Sequence, residues 1–113
     1  RELFERAAKL TLDPRYDAYA AWARYLASPA TQRPDTERLL GELAHEHEDE
    51  PLYPYLLGNL AQREKETGRA IRHYEEALEA DPHHIESTRQ LRILRMRQRS
   101  NEHSGLFDIF KKR

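Results

Sequence analysis

The chain has 113 residues, 38% of them hydrophobic, enough for one small domain with a modest layered core and too little for two independent ones. It contains no Cys, which excludes disulfides and thiolate metal sites and fits a reducing, cytoplasmic location. Charged residues reach 35%, Val is absent and Gly numbers four, so an all-α fold is expected, with apolar runs far short of the roughly 20 residues that span a bilayer.

Residues Glu2 to Leu12 place Leu3, Phe4, Ala7, Ala8 and Leu10 at helical spacing on one apolar face. The chain opens at Arg1 inside this pattern, with neither Met nor a cap, and so reads as a piece of something longer. Asp13-Pro14 closes the first helix and starts a second. Asp13 is the N-cap and Pro14 the first helical residue, where a missing amide donor costs nothing. The second helix runs to about Ala27, with Tyr19, Trp22, Ala23 and Leu26 as its inward stripe. Ser28 to Asp35, with two Pro, reads as the longest loop. A third helix from about Asp35 turns Leu39, Leu40, Leu43 and Ala44 inward and ends in the polar run His45 to Glu50.

Pro51 starts a fourth helix, to about Glu66, whose Leu52, Tyr55, Leu56, Leu57, Leu60 and Ala61 cover the wide arc of a helix packed on two sides. Thr67-Gly68 ends it, with Gly68 suited to a left-handed C-cap. A fifth helix, Arg69 to Ala80, carries Ala70, Ile71, Tyr74, Ala77 and Leu78 inward. Asp81-Pro82 repeats the Asp13-Pro14 device. A sixth helix, His83 to about Ser100, buries Ile85, Leu91, Ile93, Leu94 and, at its margin, Met96, with its Arg residues outward. From His83 onward eight Arg and Lys stand against three acidic residues, a balance of +5 that leaves −6 for the rest of the chain. Such asymmetry suits an acidic partner surface, and a solvated Arg-rich terminal helix produces the same pattern.

Six helices on short turns invite a search for a repeat. Tyr19-x-x-Trp22-Ala23 and Pro54-x-x-Leu57-Gly58 align at a separation of 35 residues. The unit Pro51 to His84 resembles the tetratricopeptide repeat: Leu57-Gly58 matches the Leu-Gly pair of its first helix, Ala70, Tyr74 and Ala77 match the small-aromatic-small pattern of its second, and Pro82 matches its terminal Pro. Gly58, Ala70 and Ala77 are small where helix axes approach, and Tyr74 fills the space between repeats. The unit departs from the family at Pro54, where a large residue is preferred, and at Gly68, three positions later than the usual inter-helix Gly.

The resemblance implies an all-α, right-handed stack of antiparallel helical hairpins, about two and a half tetratricopeptide-like repeats plus a C-terminal capping helix. It divides the chain into a repeat domain over 1–100 and an apolar-basic tail over 101–113. Within the domain, 1–13 is the second helix of a partial repeat, 16–50 a divergent repeat, 51–84 the clear repeat and 85–100 the cap. The arrangement also resembles the C-terminal part of some bacterial multidomain proteins with a J domain or another regulatory module upstream.

Carried over residue by residue, the family's concave groove falls on Asp17, Ala20 and Arg24, then on Tyr55, Asn59, Gln62 and Arg63, and in the cap on Glu86, Arg89 and Arg97. Of these, Arg24, Tyr55, Asn59, Arg63, Arg89 and Arg97 are the expected partner-binding residues, Arg offering forked donors to carboxylates and Asn59 bonding an extended peptide backbone. The expected partner is a protein or peptide, acidic in character, or a second copy of the chain. A second expected contact is the tail, where Leu106, Phe107, Ile109 and Phe110 precede a basic cluster and are too few for a stable isolated helix. Docking back on the domain, docking in a neighbour's groove, binding a partner and inserting in an anionic membrane surface all fit its composition, with protein docking favoured.

No metal, cofactor or catalytic site is expected. His45 and His47 are two residues apart, on different sides of a helix, where a two-His metal site needs a spacing of three or four. His73, on the exposed side of the fifth helix, and His83-His84 read as solvated. The sequence has no Gly-rich phosphate loop and no nucleophile elbow, so a non-enzymatic interaction module or scaffold is expected. The five Arg of the sixth helix could track phosphates, but a pI near 6.7 disfavours nucleic acid as the partner.

Overall fold

The computed structural model describes residues 13–111, with side chains described through residue 100. The expected helix over residues 2–12 lies outside the described residues. Five α-helices follow: α1 (Pro14–Ala27), α2 (Pro29–Glu46), α3 (Leu52–Arg63), α4 (Thr67–Ala80) and α5 (Ile85–Lys111). The described residues contain no strand, and each helix packs on the next, most extensively within the pairs α1–α2 and α3–α4.

α1 starts as its sequence dictates. The Asp13 side chain accepts from the Arg15 backbone N–H at 2.9 Å, and Pro14 occupies the first turn. Hydrogen bonds from the Arg15 side chain and backbone hold the exposed Asp13 carboxyl down at about 2. The inward stripe is not the expected one: Ala18, Ala21 and Tyr25 are buried, whereas Tyr19 and Leu26 are 55% and 42% exposed and Trp22 is half-buried. The small residues Ala18 and Ala21 face inward because α1 lies close against α2, where Thr36 Oγ1 donates to the Ala21 carbonyl at 3.4 Å.

The expected loop over 28–35 is helix. Ser28 alone separates α1 from α2, its N–H bonded to the Arg24 carbonyl, while Pro29 takes the first turn of α2 and Pro34 lies inside it. Pro29 supplies a helix-compatible φ at a position that needs no donor. Pro34 removes one backbone bond in the second turn, on a stretch where Thr36 and Leu40 are buried and secure the helix by packing.

α3 sits between two clusters. One joins Ala18, Leu40, Leu43, Leu52, Tyr53, Leu56 and Leu57, and the other joins Ala61, Ala70, Tyr74, Leu91 and Leu94, with Tyr55 against both. Eight of its twelve residues are buried, including Pro54. At Gly58 an added Cβ would stand 2.6 Å from Tyr74 Cε1, so the α3–α4 crossing depends on the missing side chain.

Gly68 does not cap α3; it lies within the first turn of α4. The left-handed residue is Lys65, with φ 62°. Glu66 N–H reaches back to the Ala61 carbonyl at 2.8 Å and Lys65 N–H to the Gln62 carbonyl at 3.1 Å, which is the Schellman pattern with Lys where Gly is usual. The preceding pair of helices clamps this turn. Arg33, on α2, bonds both Glu66 oxygens at 2.7 Å, Glu37 at 2.8 Å and Glu64 at 3.4 Å. Tyr25, on α1, donates to Glu64 at 2.5 Å, and burial together with this bond pushes its hydroxyl up to about 12.

α5 begins at Ile85, two residues later than expected. Asp81 accepts from His83 N–H at 3.0 Å, and the His84 ring then caps the helix through Ser87 N–H and Oγ. His84 also meets the Tyr55 ring edge-on at 5.1 Å, so it is a structural joint rather than a solvated residue. Ser87, Leu91 and Leu94 face the core; Ile85, Ile93 and Met96, expected inside, are 59%, 41% and 61% exposed. The helix continues past Ser100 to Lys111, so the backbone shows no break between cap and tail.

Candidate functional site

The best candidate site is a groove of about 360 Å³ lined by Trp22 from α1, Tyr55, Asn59, Gln62 and Arg63 from α3, and Gln90 from α5. Alternate helices supply it because α2 and α4 pack behind them. The α3 contributors recur at three and four residues, which aligns them along one helix face.

Tyr74 organises its floor. Its ring lies over Gly58, and its hydroxyl is 2.5 Å from Asn59 Oδ1 and 3.3 Å from Gln62 Oε1. Gln62 in turn donates to Gln90 Oε1 at 3.1 Å. Burial pushes the Tyr74 hydroxyl far above its ordinary value, so it remains protonated and donating. The result is a group of three amides, Asn59 and Gln62 joined through the Tyr74 hydroxyl and Gln62 bonded to Gln90, with Tyr55 and Trp22 in the same lining. Asn59 keeps its N–H groups without a partner among the described residues, and Arg63 is exposed with no ion pair there.

Such a surface can bond amide groups through Asn59, Gln62 and Gln90, pack an apolar side chain against Trp22 and Tyr55, and offer the Arg63 guanidinium to a carboxylate. Nothing in it provides a nucleophile paired with a base.

Of the residues expected to bind, the structure brings Tyr55, Asn59 and Arg63 together and leaves Arg24, Arg89 and Arg97 exposed outside the lining. On α5 it is Gln90, bonded to Gln62, that lies in the lining, in place of the expected Arg89. Trp22, whose spacing places it on the inward stripe, lies half-buried at the groove. The tail residues Leu106, Phe107, Ile109 and Phe110 are on the helical backbone of α5, and their side chains lie outside the described ones.

Other recesses have different chemistry. Glu48, Glu50, Glu76 and Glu79 surround Pro54 in an acidic recess of about 370 Å³, yet no group of three His or acidic residues among the described residues is arranged to hold a metal. Arg92, Arg95 and Arg99 line a smaller recess between α4 and α5, with Arg95 bonded to Glu75 at 2.9 Å. His47 packs against Tyr53, with ring centroids 5.9 Å apart, while His45 is exposed. His73 is half-buried rather than solvated, and desolvation lowers its pKa. No helix among the described residues is long and apolar enough to cross a membrane. Compared with protein-family models, curated proteins and solved structures, the chain matches none.

Proposed function

We propose that the chain is a tetratricopeptide-like, non-enzymatic interaction module that takes an extended peptide or a partner's helix in the groove between α1, α3 and α5. The observation that carries this reading is the row Asn59–Gln62–Gln90, held by Tyr74 and left open to solvent beside two aromatic side chains. Preformed polar groups bind at little ordering cost, and Trp22 and Tyr55 supply the apolar contact that makes such binding specific. Arg63, exposed and without an ion pair among the described residues, favours a ligand with an acidic side chain or terminal carboxylate. In this reading the tail is a second contact, through Leu106, Phe107, Ile109 and Phe110.

The test is affinity capture with the chain, repeated with Arg63→Glu, with Trp22→Ala and with Arg97→Glu. The first two changes are expected to remove the captured partner and the third to leave it, since Arg97 lies outside the groove. A captured set unchanged in all three would reject the groove. Self-association is a second reading, favoured by the exposure of Ile85, Ile93 and Met96 along α5. Light scattering that finds only monomer at high concentration rejects it.

A further inference from the structure

Two recesses of opposite charge border α4. Between α4 and α5, a recess of about 290 Å³ has Leu78 and Leu91 at its floor and Arg92, Arg95 and Arg99 at its rim. These arginines repeat at three and four residues, so one side of α5 presents all three guanidinium groups. Arg95 bonds Glu75 at 2.9 Å, while Arg92 and Arg99 are exposed with no ion pair among the described residues. On the other side of α4, where its end meets α2 and α3, the recess of about 370 Å³ has apolar walls from Ala44, Pro54 and Ala80. Its rim carries Glu48, Glu50, Glu76 and Glu79, of which Glu48 and Glu79 are exposed and form no ion pair among the described residues.

We propose that these recesses are the two halves of one self-association contact, the basic recess of one copy seated on the acidic recess of a second. This rests on the self-association reading given above and assigns it a surface. Each half sets small or apolar side chains inside a charged rim, the anatomy of a protein–protein contact, and the two rims have opposite sign. The guanidinium forks of Arg92 and Arg99 match carboxylates in shape as well as charge. An unrelated acidic protein would fit the basic recess alone, whereas a second copy fits both. Because both recesses border α4, a two-fold axis over that helix lets each copy fill the other's basic and acidic recess at once, and the contact is made twice. The outer surface of α5 suits a second copy less well. Arg89 lies four residues from both Ile85 and Ile93, and Arg92 four before Met96, so a symmetric contact through those exposed apolar side chains sets arginine against arginine.

Charge reversal in the full chain tests this. Light scattering at concentrations up to millimolar should show a dimer whose dissociation constant rises at least about tenfold from low to high salt, as exposed ionic rims require. Arg92→Glu with Arg99→Glu, or Glu48→Lys with Glu79→Lys, should each leave monomer where the unaltered chain is paired. All four positions are exposed, so the helical circular dichroism and the urea midpoint should hold in both variants. Mixing the two double variants should restore the dimer, because one then carries two acidic recesses and the other two basic ones. An unaltered chain that is monomeric at every concentration would overturn this pairing together with the self-association reading. A dimer indifferent to the reversals would overturn the recess pairing alone and leave self-association to the face of Ile85, Ile93 and Met96. A mixture that stays monomeric would also overturn the pairing, and open-ended growth in place of a dimer would overturn its two-fold arrangement.

Discussion

The two helix pairs are held together by different means. In α3–α4 the crossing is set by one absent side chain, Gly58 beneath Tyr74, and the turn by a left-handed residue with Schellman bonds. In α1–α2 the turn is a single residue, Ser28, and the pair is held by Ala18, Ala21 and the buried Thr36, with Pro rather than Gly setting the backbone. The second pair carries its strain in the turn and the first carries none there; Tyr25 and Arg33 of the first pair clamp the strained turn of the second. Each pair is thereby incomplete alone, which is how stacked helical units gain stability from their neighbours.

Leu40→Ala should break this arrangement most severely, because Leu40 is fully buried where α2 meets α1 and α3. A loss of about 3 kcal/mol is expected from urea unfolding, and hydrogen exchange should show protection falling in α3–α4 as well as in α1–α2. Protection lost in the first pair alone would mean that the pairs are independent. Gly58→Ala comes next, at about 2 kcal/mol, from forcing a methyl group against the Tyr74 ring. Combining it with Tyr74→Leu should cost less than the sum of the single changes, the signature of direct contact.

Arg33→Ala should cost about 1 kcal/mol, since its ion pairs form a network but remain partly solvated. It should also change the acid limb of the stability curve. Hydrogen bonding from Arg33 holds Glu66 below its ordinary 4.5, so its contribution is complete above that pH and is lost as pH falls through the lowered folded value. In Arg33→Ala that slope should flatten when unfolding is followed between pH 5 and about 2.5. The smallest effect has the opposite sign. Lys65→Gly relieves a left-handed lysine and should raise stability by about 0.5 kcal/mol, net of the entropy Gly loses on folding.

The same contrast decides what the sequence discloses. The second pair is readable because its constraints are steric and local: Gly58, Ala70, Tyr74 and Ala77 announce a close crossing by their sizes alone. The first pair hides its geometry in residues with other common meanings. Pro29 and Pro34 signal a loop by composition, and only the burial of Thr36 and Leu40 makes a helix the better solution there. α1 carries two apolar faces, so spacing alone favours the larger side chains of Tyr19, Trp22 and Leu26 over the small residues that pack inward. Gly68 draws the left-handed turn to itself by residue type, whereas Lys65 takes that conformation because Tyr25 and Arg33 anchor Glu64 and Glu66 on either side. At the groove, Tyr55, Asn59 and Arg63 follow from the readable pair. Gln90 is not legible there, because the family's groove positions fall on its neighbour Arg89, whereas the residue that bonds Gln62 is Gln90.

Among the described side chains of α5 the last buried one is Leu94, and Arg95 to Ser100 are all exposed, yet the backbone stays helical to Lys111. The helix from Gln90 to Lys111 rises about 32 Å, so the far end of α5 stands about three helix diameters from the Asn59–Gln62–Gln90 row. In the proposed reading, a short peptide in the groove would leave that end untouched, and reaching both would take an extended segment of about ten residues or more at 3.3 Å each. If the proposed groove and tail both bind, the helix would set a minimum length for a single ligand that engages both ends and would leave room for two shorter ligands at once.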